Sequence, residues 1–217
     1  MTRLVVHASP DRKGLAAFDA RVLALQGMSE PERLPTLPPM ESSGACLNLN
    51  WVTPQLALGG RFELDACEHL VKALGIRYVV DVRIECCDDE EVLRRHGIHL
   101  LHLPTADLTA VSQEMLDEGV AWVNERLEEG HKVYVHCEHG VGRSALLGLC
   151  ILASRGLSPI DALRTAKRAR WQVSPSPEQL EAFRTWCKRR GVGRVPTFDE
   201  LARVAYSHLR TDSVAGG

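Results

Sequence analysis

Twelve residues constrain this chain more than the rest. Residues 133–144 read VYVHCEHGVGRS. The run Val133-Tyr134-Val135 is wholly apolar, which suits a short strand buried on both faces of a sheet. Directly after it stand His136, Cys137, Gly140, Gly142, Arg143 and Ser144. A core strand has no use for these residues, whereas a loop that grips an anion does. The apolar segment from Arg143 to Arg155 then reads as a helix. In open α/β folds ligands bind outside the carboxyl ends of strands. Loop amides and the positive end of a helix together hold phosphate. Gly140 and Gly142 let backbone N–H groups turn inward without obstruction. Arg143 offers a planar fork to two phosphoryl oxygens. The same ring of donors favours a thiolate at Cys137, and a thiolate beneath a phosphorus atom is a nucleophile.

The remaining pattern supplies a sheet for this loop. Leu47 to Val52 and Leu56 to Leu58 read as strands around Thr53-Pro54. A helix follows over about 63–74, with Leu64, Cys67, Leu70, Val71 and Leu74 on one face. Tyr78 to Val82 is a buried strand. Asp88 and Asp89 are positioned to cap a short helix ending near His96. Ile98 to Leu103 is another strand, and Ser112 caps a long helix that stops near Gly130. Beyond the loop only helices follow, opened by Ser158-Pro159, by the capping box Ser176-Pro177-Glu178-Gln179, and by another at Thr197 to Glu200. The alternation predicts an α/β fold with a central, mainly parallel twisted sheet of four to five strands flanked by helices.

Three regions are distinguished. Residues 1–45 carry a short amphipathic helix around 14–26, with Phe18, Val22 and Leu25 at helical spacing, and then a Pro-rich linker. Residues 46–192 form the catalytic domain. Residues 193–217 are a last helix and a flexible tail. The chain has 217 residues and a formal net charge of −2, so no global charge draws it to nucleic acid or an anionic surface. No stretch reaches the ~20 apolar residues of a spanning helix, and the apolar run near the N-terminus is too short for a secretory h-region. The seven cysteines form no CxxC pair; they read as reduced thiols of a soluble, cytoplasmic protein. Lys167, Arg168 and Arg170, with Lys188, Arg189 and Arg190, read as solvated helix faces or a positive patch beside the pocket. Trp122, Trp171 and Trp186 read as core or half-buried packing residues.

The order His-Cys, five residues, Arg-Ser resembles the signature loop of the cysteine-dependent protein tyrosine phosphatases, and the short domain resembles their dual-specificity branch. The likeness extends over roughly 47–190. NWVTPQLALGG is similar to that branch's opening strand pair, LGIRYVVDVR to its next strand, and LSPIDALRTAKRAR with SPEQLEAF to its closing helices. The resemblance implies a two-step hydrolysis through a phosphocysteine at Cys137. Arg143 and the loop residues Glu138, His139, Gly140, Val141 and Gly142 would bind the phosphoryl group. Asp107, in the loop LPTADLTAV, would be the general acid; Asp81, Asp88 and Asp89 are the other candidates, one within a strand and two placed as helix caps. Ser144 would assist the departing sulfur and His136 would orient the loop. No metal and no cofactor is implied, and neither His136, Cys137 and His139 nor His96, His99 and His102 has a usual zinc spacing. Redox-regulated members of the family suggest that Cys86 or Cys87 traps an oxidised Cys137 as a disulfide; the simpler reading is two ordinary loop thiols.

The implied partner is a phosphoprotein carrying phosphotyrosine, with phosphoserine or phosphothreonine also admitted by a shallow pocket. The TADLTAV loop is similar to a branch acting on phosphatidylglycerophosphate, which keeps a phospholipid open. Glu138 argues against highly charged headgroups by repulsion at close range. No nucleic acid and no integral membrane contact is implied. Two rivals share an anion-binding cysteine loop: a sulfurtransferase or thiol oxidoreductase, and a non-catalytic phosphoresidue-binding module.

Overall fold

The computed structural model describes residues 47–208. The expected helix over 14–26, the Pro-rich linker and the tail from 211 lie outside the described residues.

Five strands form one sheet in the order β1-β2-β5-β3-β4. They are β1 (Leu49–Trp51), β2 (Leu56–Gly59), β3 (Ile76–Arg83), β4 (His99–Thr105) and β5 (Lys132–His136). β1 runs antiparallel to β2, and every other pairing is parallel. The expected mainly parallel α/β sheet is therefore present. Seven α-helices accompany it among the described residues: α1 (Cys67–Lys72), α2 (Glu90–Arg95), α3 (Gln113–Glu128), α4 (Arg143–Ser154), α5 (Pro159–Ala169), α6 (Pro177–Arg190) and α7 (Phe198–Ala205).

The central strands are apolar on both faces because both faces are covered. On one side Ala57, Val79 and Tyr134 pack with Phe62, Cys67, Leu70, Leu93 and Ile98. Their strand neighbours Leu58, Val80 and Val135 point the other way and are equally buried. On that side lies α4, buried from Arg143 to Ala153. A helix apolar all round belongs in the middle of a protein. Gly148 lets α4 approach β2 closely, since a Cβ there would stand 2.6 Å from a methyl of Leu58.

Register determines what meets at the carboxyl end of the sheet. His136 pairs with Gly59 on one side and with Asp81 on the other. The chain following β5 therefore emerges between the ends of β2 and β3. The helix starts follow the sequence: Ser112, Ser158, Ser176 and Thr197 each cap through their side chains, the last two in full capping boxes. Asp89 caps α2, its Oδ1 accepting from Val92 N–H at 3.0 Å. Asp88, expected as a cap, turns inward instead. Trp186 is buried as expected and bonds Asp117 Oδ1 at 2.9 Å, but Trp171 is 65% exposed rather than packed.

Leu58→Ala removes buried contacts between sheet and α4 at a site too rigid to collapse. It should lower unfolding free energy by about 3 kcal/mol, read from the midpoint of urea denaturation at unchanged slope.

Candidate active site

The loop from Cys137 to Gly142 is shaped by its carbonyl groups. Glu138 O accepts from Arg61 N–H at 3.0 Å, and Val141 O from Ser174 N–H at 3.0 Å. His139 O accepts from Arg170 Nη2 at 2.7 Å, and Gly140 O from Arg170 Nε at 2.7 Å. Four successive carbonyls thus point away from the loop's centre. In a planar trans peptide the N–H lies opposite the C=O. The amides of His139, Gly140, Val141 and Gly142 therefore face inward. One is seen to do so: Gly140 N–H lies 3.3 Å from Cys137 Sγ. Gly140 has φ +71 and a Cβ there would run into the Gly59 backbone, so this turn requires glycine.

Cys137 lies buried at the base of this cup. Ser144 Oγ stands 3.3 Å from its sulfur. Arg143, at the first turn of α4, is 1% exposed. Its Nη1 bonds Glu85 Oε2 at 2.7 Å and Thr105 O at 2.8 Å, while Nη2 bonds Glu85 Oε1 at 2.6 Å. Asp107 Oδ1 also lies 3.1 Å from Nη2. Its Nε–H is buried with no protein partner. The bidentate Arg143 bond holds the Glu85 carboxyl at about 2, against an ordinary value of 4.5. Burial opposes the charge on Arg143, but the bond to Glu85 and the negative charges of Cys137, Glu85 and Asp107 together outweigh it and leave the guanidinium pKa raised.

Beneath the loop, His136 is fully buried and its Nε2 meets Asp88 Oδ2 at 2.9 Å. Asp88 Oδ1 accepts from Arg83 Nη2 at 2.7 Å. Asp81 Oδ1 accepts from Arg83 Nε at 2.9 Å, and its Oδ2 from Asp88 N–H at 3.1 Å. Asp81, Asp88 and His136 stand close enough to share a metal ion, as do Asp81, Cys87 and His102. In both groups the Asp81 oxygens are already bonded to Arg83, whose positive charge takes the place a cation would fill. Arg83 also reaches Glu138 Oε2 at 3.3 Å, and Arg61 reaches Glu138 Oε1 at 3.1 Å. Both Glu138 oxygens are thus paired with arginines, which are shared with Glu63, Asp81 and Asp88.

Asp107 lies 58% exposed on the loop between β4 and α3. This loop is fastened to the start of α6. Ser176 Oγ donates to Leu108 O at 3.0 Å, Gln179 Nε2 donates to Thr109 O at 2.9 Å, and Glu178 Oε1 accepts from Ala110 N–H at 3.0 Å. Leu108 has φ 64, a left-handed conformation found in no other described non-glycine residue. Of the alternative acids, Asp81 and Asp88 are consumed by Arg83, and Asp89 caps α2.

The structure brings together every residue expected in the phosphate loop, with Asp107 at its edge. Cys86 and Cys87 are exposed on the loop carrying Glu85, and their thiols make no bond to Cys137; Cys86 Sγ approaches Cys87 O at 3.8 Å. Sequence reasoning missed Glu85, Gln179 and Arg170. Glu85 carries no local signature, and Gln179 shows in the sequence only as the end of a capping box. Arg170 sits in a basic run that resembles a wet helix face, yet it is 2% exposed.

Residues 62–189 match the family model described as dual specificity phosphatase, catalytic domain. This chain belongs to that family and is a cysteine-based phosphatase. It is 26% identical over 145 residues to phosphatidylglycerophosphatase and protein-tyrosine phosphatase 1 of Homo sapiens, covering 64% of this chain and 72% of that protein. The Mus musculus counterpart is 30% identical over 104 residues, covering 47% of this chain and 54% of that protein. The crystal structure of Tk-PTP in the active form superposes with a TM-score of 0.61 at 30% identity, covering 65% of this chain and 97% of that one.

Glu85 supplies a pH signature. Its folded-state pKa is depressed, so its pairing with Arg143 is fully stabilising above the ordinary value of 4.5 and is lost as pH falls towards about 2. The melting temperature of Glu85→Gln should lie below wild type at neutral pH, and the gap should close across that acid window.

Proposed function

We propose that the protein hydrolyses phosphomonoesters through a phosphocysteine intermediate, with phosphotyrosine in proteins as the substrate class. The observation that carries this reading is the buried Arg143 Nε–H. Both Nη atoms of Arg143 are occupied, and Nε remains a charged-group donor with no protein acceptor. Buried donors of this kind are rare unless an ion or ordered water completes them, and a charged donor favours an anion. The inward amides of the loop converge on the same cup.

In the first step the Cys137 thiolate attacks phosphorus. The P–S bond forms as the bond to the leaving oxygen breaks, and Asp107 gives that oxygen its proton. In the second, water attacks phosphorus, Asp107 takes its proton, and the sulfur leaves. Ser144 Oγ, 3.3 Å from Sγ, donates to the departing thiolate. Arg143 and the loop amides stabilise the transferring group in both steps. His136, held by Asp88, fixes the strand end from which the loop springs. A reducing compartment such as the cytoplasm suits the six free thiols among the described residues.

A second substrate class, a phospholipid monoester, is favoured by two observations. Ile84 and Leu108 are 61% and 72% exposed, large and apolar, and each adjoins a carboxylate paired with Arg143. The human relative's name joins both activities.

Hydrolysis of p-nitrophenyl phosphate without added metal tests the chemistry. Cys137→Ser should abolish it, and Asp107→Asn should lower kcat roughly a hundredfold. Activity surviving in Cys137→Ser would refute the nucleophile. A phosphotyrosyl peptide set against phosphatidylglycerophosphate in vesicles separates the classes, with a higher kcat/KM expected on the peptide.

A further inference from the structure

Arg170 ends helix α5 and is buried behind the phosphate loop. All its bonds run to neutral oxygens: Gly140 O at 2.7 Å, His139 O at 2.7 Å, Asn48 Oδ1 at 2.7 Å and Asn50 Oδ1 at 2.8 Å. Among the described residues it joins no ion pair, unlike Arg83 and Arg143. A buried cation without a counter-charge is costly. Burial accordingly draws its guanidinium below the ordinary arginine value, while negative charge on Tyr134 or Cys137 acts in the opposite direction.

The carbonyl anchors divide unequally. Those of Glu138 and Val141 are held by backbone N–H groups of Arg61 and Ser174, which any residue but proline supplies. Those of His139 and Gly140 are held by the side chain of Arg170, with a longer bond of 3.5 Å from Asn48 Nδ2 to His139 O. By the planarity of the peptide, these two carbonyls fix the amides of Gly140 and Val141, the middle of the cup. A guanidinium fork reaches both oxygens; an ammonium is a point donor on a flexible stem.

We propose that Arg170 is a positioning residue for phosphate binding: it holds two peptide units with their N–H groups inward and sets an uncompensated positive charge behind the bound anion. This inference rests on the phosphate-cup reading of the loop. Arg170 itself touches no reacting atom, so its removal should weaken the cup rather than delete a chemical step.

The test compares full-length wild type with Arg170→Gln and Arg170→Lys. Three quantities are read: kcat and KM for p-nitrophenyl phosphate, the competitive Ki of inorganic phosphate, and the thermal midpoint. In Arg170→Gln, kcat/KM should fall roughly a hundredfold, the scale set by losing preorganised donors, and Ki should rise about tenfold by the same loss. Arg170→Lys keeps the charge and gives up the fork, so it should fall between the two. A residue that merely stabilised the fold would lower the thermal midpoint and leave Ki unchanged in the folded enzyme. Wild-type Ki and kcat/KM in either folded variant would overturn the proposal. If Arg170→Gln does not fold, Arg170→Lys decides alone on the same two constants. Wild type that neither turns over nor binds phosphate would instead refute the reading of the loop, and this inference with it.

Discussion

Three guanidinium groups are buried at the carboxyl end of one sheet, and the site depends on how each is answered. Arg83 lies between Asp81 and Asp88 and is neutralised inside the fold. Arg143 meets Glu85 with two nitrogens and leaves a third without a protein acceptor. Arg170 meets only carbonyl and amide oxygens. Counted in charges, Arg83 and Arg143 each face two or more carboxylates, and Arg170 faces none. The charge left without a counter-charge is therefore Arg170, behind the loop. Where a low-dielectric wall surrounds such charges, they act far more strongly than the same charges in water.

The internally paired set has its own use. Asp88 ties Arg83 to His136, the last residue of β5, and Arg83 ties the same network to Glu138 on the loop. Networks of this kind are valuable when every member is satisfied and expensive when one is not. Here His136 Nδ1 is the exception, buried without a partner. The ring packs against both Tyr134 and Phe62, whose stacking and edge contacts fix its plane.

Much of this was legible in the sequence. The apolar triplet at 133–135, the two glycines and the Cys-to-Arg spacing place strand, loop and helix because each local preference agrees with the others. Capping residues mark helix starts at 112, 158, 176 and 197 for the same reason. Two of the misreadings share one cause. Asp88 is a good cap by type, and Arg170 is a good surface residue by type, yet each is claimed by a partner distant in sequence. Arg170 bonds atoms 30 and 122 positions away. Glu85 was invisible on the same ground, and Gln179 was legible as a capping residue but not as the donor to Thr109 O. Local chemistry reveals a nucleophile; it does not reveal which charges surround it.

The central position of β5 bears on how the protein acquires its activity. Its neighbours β2 and β3 come from residues some fifty to eighty positions earlier, as Leu56 against Val133 and Val80 against Val135 show. Parallel pairings of such separation form slowly, because the chain must close long loops before any contact rewards it. The cup's anchors, from Arg61 before β5 and from Arg170 and Ser174 after it, arrive only when both sides have docked. A nascent or half-folded chain thus carries Cys137 on a loop without its anchors. On the proposed reading of Cys137 as nucleophile, its anion-binding cup is complete only in molecules that have finished folding.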